Sequence, residues 1–389
     1  MTAGAVRHFS HLSDDVVREL FLESPEAFSD RDDRDVLAAS LGATLYVPAI
    51  RPDLTRTVVR RAADGVCSMV LDLEDAIGDH EVEQAVANTV KTLDALAVTP
   101  AANALIFVRV RTPETIRLIT DAITSGVTTL SGFVVPKFDT TTGAAFLDEV
   151  DSASGRLDKP IYSMPVLESH ILVHAESRDA ELQRIGELLT HYRRQVLAVR
   201  IGATDMSGIF GIRRDRDLTV YDVRVVADVI ADIVNYFGRS DGTGYVITGP
   251  VWEYFADRER MFRPLLRTTP FAEHDAVLFR QHLVSRDLDG LLREIALDRA
   301  NGLHGKTVIH PSHVAPVHAL SAVTHEEYQD ALDILDSATG AQASGYRNKM
   351  NETKPHQNWA RQTTLRARAF GVTNTGVTFV DLLTALVDA

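Results

Sequence analysis

The stretch "MVLDLEDAIGD", residues 69 to 79, ends an apolar run with three carboxylates, Asp72, Glu74 and Asp75. Charge recurs where other apolar runs stop: Arg51 after "ATLYVPA", Arg109 and Arg111 in "ALIFVRVR", Lys137 in "GFVVPK", Glu168 in "IYSMPVLES", Asp205 in "VLAVRIGATD" and His310 in "KTVIHP". Gathering carboxylates and cations around a low-dielectric mouth is costly unless a ligand or metal balances them. Glu168 and Asp205 offer two hard oxygen ligands with coordination positions left for water and substrate, which is how Mg²⁺ is usually held. Taken singly, each is better explained as a helix cap or a surface carboxylate; together in this setting they read as a metal pair. Arg109 is a permanently charged planar fork suited to a substrate carboxylate or a developing enolate oxygen. Its bland alternative is an internal salt bridge to Glu74 or Asp75, and the two are compatible. Strand alternation puts Asp72 and Glu74 on one side and Asp75 on the other, so the three are expected not to share one job.

The elements that must position these groups are eight short β-rich runs, at 43–49, 67–75, 104–111, 132–137, 161–169, 196–205, 245–251 and 306–311. They are continuously apolar with little alternation, which suits strands covered on both faces. Segments of 3.6-residue periodicity separate them, including "EVEQAVANTVKTLDAL" and "VYDVRVVADVIADIVNYF", and would supply right-handed crossovers. This pattern predicts an α/β fold, a (β/α)8 TIM barrel, in which catalytic groups sit at the C-terminal ends of strands. The expected organisation is an acidic N-terminal extension over 1–40, a barrel over 41–320 and a helical C-terminal tail over 321–389. An arginine-rich insertion after strand seven, residues 253–285, reads equally as a lid or as a packed decoration. Thr324 and Glu327 have the spacing of a capping box opening the tail; a loop, "GYRNKMNETKPHQNW", and a last helix are expected to follow.

Composition narrows the function. Of 389 residues, 45% are hydrophobic and 24% charged, as in a globular protein, and the net charge of −14 repels nucleic-acid backbones and anionic lipid. No nucleic acid, no membrane and a cytoplasmic location are expected. The single cysteine, Cys67, reads as a core filler. "GRSDGTG" (238–244) lacks the lysine of a P-loop and enters a strand, so it reads as a turn on the stability face. His170 and His174 are spaced i, i+4 but read as ordinary helix residues. Arg258, Arg260, Arg263 and Arg267 read equally as a clamp for a phosphate or a second carboxylate and as a solvated face.

In order along the chain, "LYVPAIRPDL", "LDLEDAIGD", "VRV", "VVPK", "PVLES", "RIGATDMSGIFG" and "RDLDGLLREIALDRANGLHGKTVIHP" resemble the citrate lyase beta-subunit-like proteins of the HpcH/HpaI aldolase superfamily. The insertion and tail look more like its divergent branch, the C-C bond lyases of the TIM-barrel fold. The resemblance implies a Mg²⁺-dependent enzyme that makes or breaks a carbon-carbon bond beside a carboxylate or thioester through an enolate. It implies Glu168 and Asp205 as metal ligands, Arg109 as the group binding a substrate carboxylate or enolate, and Glu74 and Asp75 as its support. Arg51, Lys137 and His310 would add substrate contacts, and Asp72 would have a structural role further down. The substrate would be a small carboxylate or CoA ester, and the assembly a homo-oligomer, a trimer or hexamer. Departures from the family pattern include Arg111 where relatives have asparagine, Val82 and Val86 for basic residues, and His313 for glutamine. Relatives acting on acyl-CoA use an aspartate from a neighbouring subunit's tail; alignment on Pro355 puts Thr353 there, with Glu352 adjacent. These departures motivate the alternative of a catalytically silent barrel that binds a metabolite or partner.

Overall fold

The computed structural model describes residues 5–99, 103–255, 286–337 and 340–389. Eight parallel strands follow one another around a TIM barrel: β1 (Ala43–Pro48), β2 (Ser68–Asp72), β3 (Leu105–Arg109), β4 (Leu130–Val135), β5 (Tyr162–Leu167), β6 (Ala198–Ile201), β7 (Val246–Thr248) and β8 (Lys306–Val308). β1 pairs with both β2 and β8, and a parallel bridge from Gly249 to Lys306 joins the end of β7 to β8. The eight runs read from the sequence are these eight strands, and each stops short of its predicted end. Among the described residues the crossovers are α1 (Leu54–Ala63), α2 (Val82–Ala97), α3 (Pro113–Ala122), α4 (Gly143–Leu157), α5 (Ala175–His191), α6 (Arg224–Phe237) and α7 (Arg286–Ala300), with α8 (Val314–Ser321) after β8.

Every residue of β2 and β4 is buried, because their alternate side chains meet the helical layer on one side and the barrel interior on the other. Outward residues such as Met69, Leu71, Ile106 and Val108 pack with the helices; inward Val70, Phe107, Val134 and Met164 fill the barrel. α6 buries Val226, Val229, Ile230, Ile233 and Phe237, a single stripe at helical spacing. Each such side chain contributes roughly 1.5–3 kcal/mol. Cys67 belongs to the inner cluster, and burial pushes its thiol up to about 12, so it is held as an inert apolar group.

The extension contributes short helices at Asp14–Leu20 and Arg34–Ala39, and its strand Phe21–Glu23 pairs antiparallel with Val372–Thr373 of the tail. The expected capping box forms: Thr324 Oγ1 accepts the Glu327 amide at 3.2 Å, at the start of α9 (His325–Asp336). The tail then differs from the sequence reading. A hairpin of Ala341–Ala343 and Met350–Glu352 leads into α10 (Thr353–Phe370), which begins inside the stretch expected to be a loop, and α11 (Phe379–Asp388) follows. Pro355 caused the misreading: it falls in the first turn of α10, where a missing N–H costs nothing. Beyond residue 255, the insertion over 253–285 lies outside the described residues, together with Arg258, Arg260, Arg263 and Arg267.

Candidate active site

Asp72 ends β2 and Arg109 ends β3, and the two are direct register partners. Arg109 Nε donates to Asp72 Oδ1 at 2.7 Å and Nη2 donates to Oδ2 at 2.6 Å, a bidentate pair with Asp72 almost wholly buried. The expectation that Asp72 serves a structural role apart from the site is therefore corrected: it is the principal partner of Arg109. The same carboxylate bends the chain, since Asp72 Oδ1 accepts the amide of Glu74 at 3.0 Å, an Asx-type turn that ends strand alternation. Beyond the turn both remaining carboxylates fold back. Arg109 Nη1 lies 3.0 Å from Glu74 Oε2 and 3.1 Å from Asp75 Oδ2. Burial alone would favour a neutral guanidine; the hydrogen bonds and charge of Asp72 outweigh it and hold the guanidinium above its usual range.

Lys137, just after β4, has a left-handed backbone (φ 49°), which turns its amide onto Glu168 Oε1 at 2.8 Å. Its ammonium contacts Glu74 and stands 3.5 Å from Asp75 Oδ1 and 3.7 Å from Asp205 Oδ1, and these carboxylates raise its pKa despite partial burial. Glu168, just after β5, is buried; that burial, then the charge of Asp205, pushes its carboxyl up to about 8. The end of β6 can pass it because residue 202 is glycine: a Cβ there would lie 1.7 Å from Glu168 Oε2. Asp205 sits in the first turn of the helix Ala203–Ile209, not on the strand as predicted, because β6 stops at Ile201.

Two hard carboxylates, of which Glu168 is pressed towards neutrality by its burial and by the charge of Asp205, fit one hard divalent cation. Among the described residues no group of three or more His, Cys, Asp or Glu is arranged to hold a metal. An ion at Glu168 and Asp205 would thus keep most of its positions for water or substrate, as Mg²⁺ does.

Arg109, Glu74, Asp75, Lys137, Glu168 and Asp205 thus form one continuous network, and Arg51 and His310 have partners of their own. Arg51 pairs with Asp53 at 3.3 Å; the His310 ring stacks on Phe255 at 4.4 Å, with Nδ1 2.7 Å from Ser312 Oγ. Arg111 clasps the turn that carries Glu74 and Asp75, donating to the carbonyls of Leu73, Glu74 and Ile77 at 2.8, 2.9 and 2.8 Å. His170 and His174 do not share a helix: the first turn ends at Val173 and His174 is extended.

Two residues escaped the sequence reading. Tyr46 lies between the guanidiniums of Arg109 and Arg200, 5.2 and 5.6 Å from its ring centre. Arg200 is fully buried inside the barrel and donates to Thr307 Oγ1 at 2.6 Å. The available signal was a charge in the middle of the apolar run "LAVRIG".

The chain belongs to the C-C bond lyases of the TIM-barrel fold, whose family model matches residues 35–372. The motif resemblance is borne out at that level. Among solved structures it is similar to a citrate lyase from Burkholderia xenovorans LB400, with TM-score 0.60 and 16% identity over 87% of this chain and 94% of that one. Protein CitE from Mycobacterium tuberculosis, in complex with magnesium, acetoacetate and coenzyme A, matches with TM-score 0.52 and 18% identity over 85% and 99% of the two chains. A malate synthase from Haloferax volcanii, a magnesium and glyoxylate complex, gives TM-score 0.51 and 14% identity over 71% and 73%. At these identities the likeness establishes the fold. No curated protein matches the chain in sequence.

Proposed function

We propose that the chain is a Mg²⁺-dependent carbon-carbon bond lyase acting on a small carboxylate or acyl-CoA type substrate. The observation that carries this reading is the placement of Glu168 and Asp205 against one lysine, beside the half-buried Arg109 fork. Relatives crystallised with magnesium beside acetoacetate and coenzyme A, or beside glyoxylate, support it. Glu168 and Asp205 would hold the ion, whose chemistry when bound is that of a Lewis acid and a template for substrate oxygens.

The chain's own residues supply the rest. Cleavage next to a carbonyl leaves the bonding pair as an enolate, and Arg109 and Lys137 place fixed positive charge where that pair collects. Arg109 is already bound on three sides. Asp72 is locked by its bidentate pair, while Asp75 is the exposed partner, so a substrate carboxylate would take the place of Asp75 on Nη1. Glu74 keeps Arg109 and Lys137 oriented during that exchange. Among the described residues the chain's own tail packs away from this mouth, with α10 against the Arg34–Ala39 helix. A tail carboxylate such as Glu352 would therefore act on a mouth only across a subunit boundary, which is the sense in which a homo-oligomer is proposed.

The test is a thermal-shift screen of purified protein, with and without Mg²⁺, against short 2-keto acids, 3-hydroxy acids and their CoA esters, repeated on Asp205→Ala. Stabilisation by a keto acid that needs both Mg²⁺ and Asp205 is expected. No metal-dependent shift with any ligand would overturn the lyase reading in favour of a silent, partner-binding barrel.

A further inference from the structure

At the opposite end of the barrel, where the strands begin, lies a cavity of about 450 Å³. The floor of such a barrel is ordinarily closed by apolar packing. Here α10 crosses it with a polar face: Asn358, Arg361, Gln362, Leu365 and Arg366, spaced i, i+3, i+4, i+7 and i+8, all line the cavity. The glycine-rich stretch 238–244 lies along its rim, and three of its carbonyls seat Arg193, whose guanidinium stacks 4.7 Å from the centre of the Tyr245 ring.

The charge on these walls is one-sided. Two carboxylates line the cavity, and both are engaged: Asp35 with Arg34 at 2.9 Å, and Asp298 with Lys306 at 2.7 Å and the Tyr221 hydroxyl at 2.8 Å. Against them stand Arg299 and Arg366, which share the single carboxylate of Glu327. Among the described residues Arg366 Nε is buried without a hydrogen-bond partner, and the Arg361 guanidinium makes a 3.5 Å contact with Asn358. Burial and the two nearby guanidiniums also keep His304, in the same wall, neutral, with its pKa lowered to about 4. A chain of net charge −14 has therefore concentrated more guanidiniums than carboxylates around a space of small-ligand size.

We propose that this cavity binds a phosphorylated small molecule. Its phosphate would lie between Arg361 and Arg366, which present fork-shaped donors matched to phosphate oxygens. A compact planar or apolar body would rest against Leu365, Leu303 and Tyr245. The site is independent of the lyase reading, because none of its residues belongs to the carboxylate network at the other end.

The experiment is isothermal titration calorimetry of the full chain with inorganic phosphate, inorganic pyrophosphate and AMP, in wild type, Arg361→Glu and Asp205→Ala. Arg361 is exposed, so its replacement should leave the melting temperature unchanged. Expected is saturable binding of AMP that inorganic phosphate competes away, weakened at least tenfold in Arg361→Glu and unchanged in Asp205→Ala. Three results would each overturn the proposal: no binding of any of the three probes at millimolar concentration, binding undiminished in Arg361→Glu, or binding lost in Asp205→Ala, which would move the ligand to the other mouth. A cavity-filling Gln362→Trp variant gives an independent check, since it should block AMP without altering charge.

Discussion

Lys137 holds Glu168 through its main chain: the amide donates to Oε1 at 2.8 Å, leaving the ammonium free to stand 3.7 Å from Asp205. One residue therefore touches both candidate metal ligands by different means, and the two contacts can be separated by substitution.

Lys137→Met keeps the amide and removes the ammonium. The left-handed backbone is no worse for Met than for Lys, and a half-exposed ammonium contributes only about 0–1 kcal/mol to stability. The fold should be retained. With the competing cation gone, Mg²⁺ should bind roughly tenfold tighter at low salt, because a charge within 4 Å of a ligand is worth on the order of a kcal/mol or more near a protein surface. Turnover should fall even so. Calorimetric titration of Mg²⁺ decides this, and unchanged metal affinity would separate Lys137 from the metal site.

Glu168 gives a pH prediction. Its carboxyl is pushed up to about 8 in the metal-free protein, against an ordinary value of 4.5. Between those pH values the folded chain holds a proton that the unfolded chain has lost, so this group makes the metal-free protein less stable as pH rises from 4.5 through 8. Mg²⁺ must displace the same proton. Its apparent affinity should therefore climb with pH, by up to about tenfold per unit, and level off above pH 8. Titrations at pH 6, 7 and 8 test this, and a flat profile would mean that Glu168 does not ligate the ion.

The barrel was legible because strands covered on both faces write continuous apolar runs, and the site was legible because charge at the ends of such runs is expensive. What stayed hidden depended on contacts between distant segments or on local turns. Asp72 was misplaced because strand alternation was carried past a turn that its own carboxylate creates. Asp205 moved from strand to helix, and α10 began early, because boundaries depend on capping and on where a proline falls. Arg200 and Tyr46 were passed over because an arginine inside a barrel is recognised only once the Tyr46 ring and the Thr307 hydroxyl beside it are known.

Arg111 stood out in the sequence as a departure from the family pattern, and it secures three carbonyls of the Leu73–Ile77 turn from a partly buried position. Arg111→Ala should cost about 1–3 kcal/mol, since each lost charged donor leaves a carbonyl unpaired. More specifically, hydrogen exchange should speed up at residues 73–79 while β3 stays protected. Michaelis constants should rise more than turnover falls, because Glu74 and Asp75 would lose their fixed position. Uniform exchange across the barrel would show Arg111 to be a general stability residue with no hold on that turn.

His8 joins the extension to the barrel and the tail. Its Nε2 lies 2.8 Å from the Ser40 carbonyl, and its ring stacks 4.2 Å from Phe370 and meets His318 edge-on at 4.6 Å. Burial lowers the pKa of His8 to about 4; burial, aided by the charge His8 would carry, also holds that of His318 well below its ordinary value. Because the unfolded chain takes up these protons near pH 6.5 and the folded chain does not, their contribution is complete above 6.5 and is lost as pH falls from there towards 4. Each such group should steepen the slope of unfolding free energy by up to about 1.4 kcal/mol per pH unit in that window. His8→Gln keeps a donor for Ser40 but cannot titrate. Urea unfolding at pH 7, 6 and 5 should therefore show a shallower slope in the variant than in wild type, and equal slopes would mean that His8 does not drive the acid sensitivity.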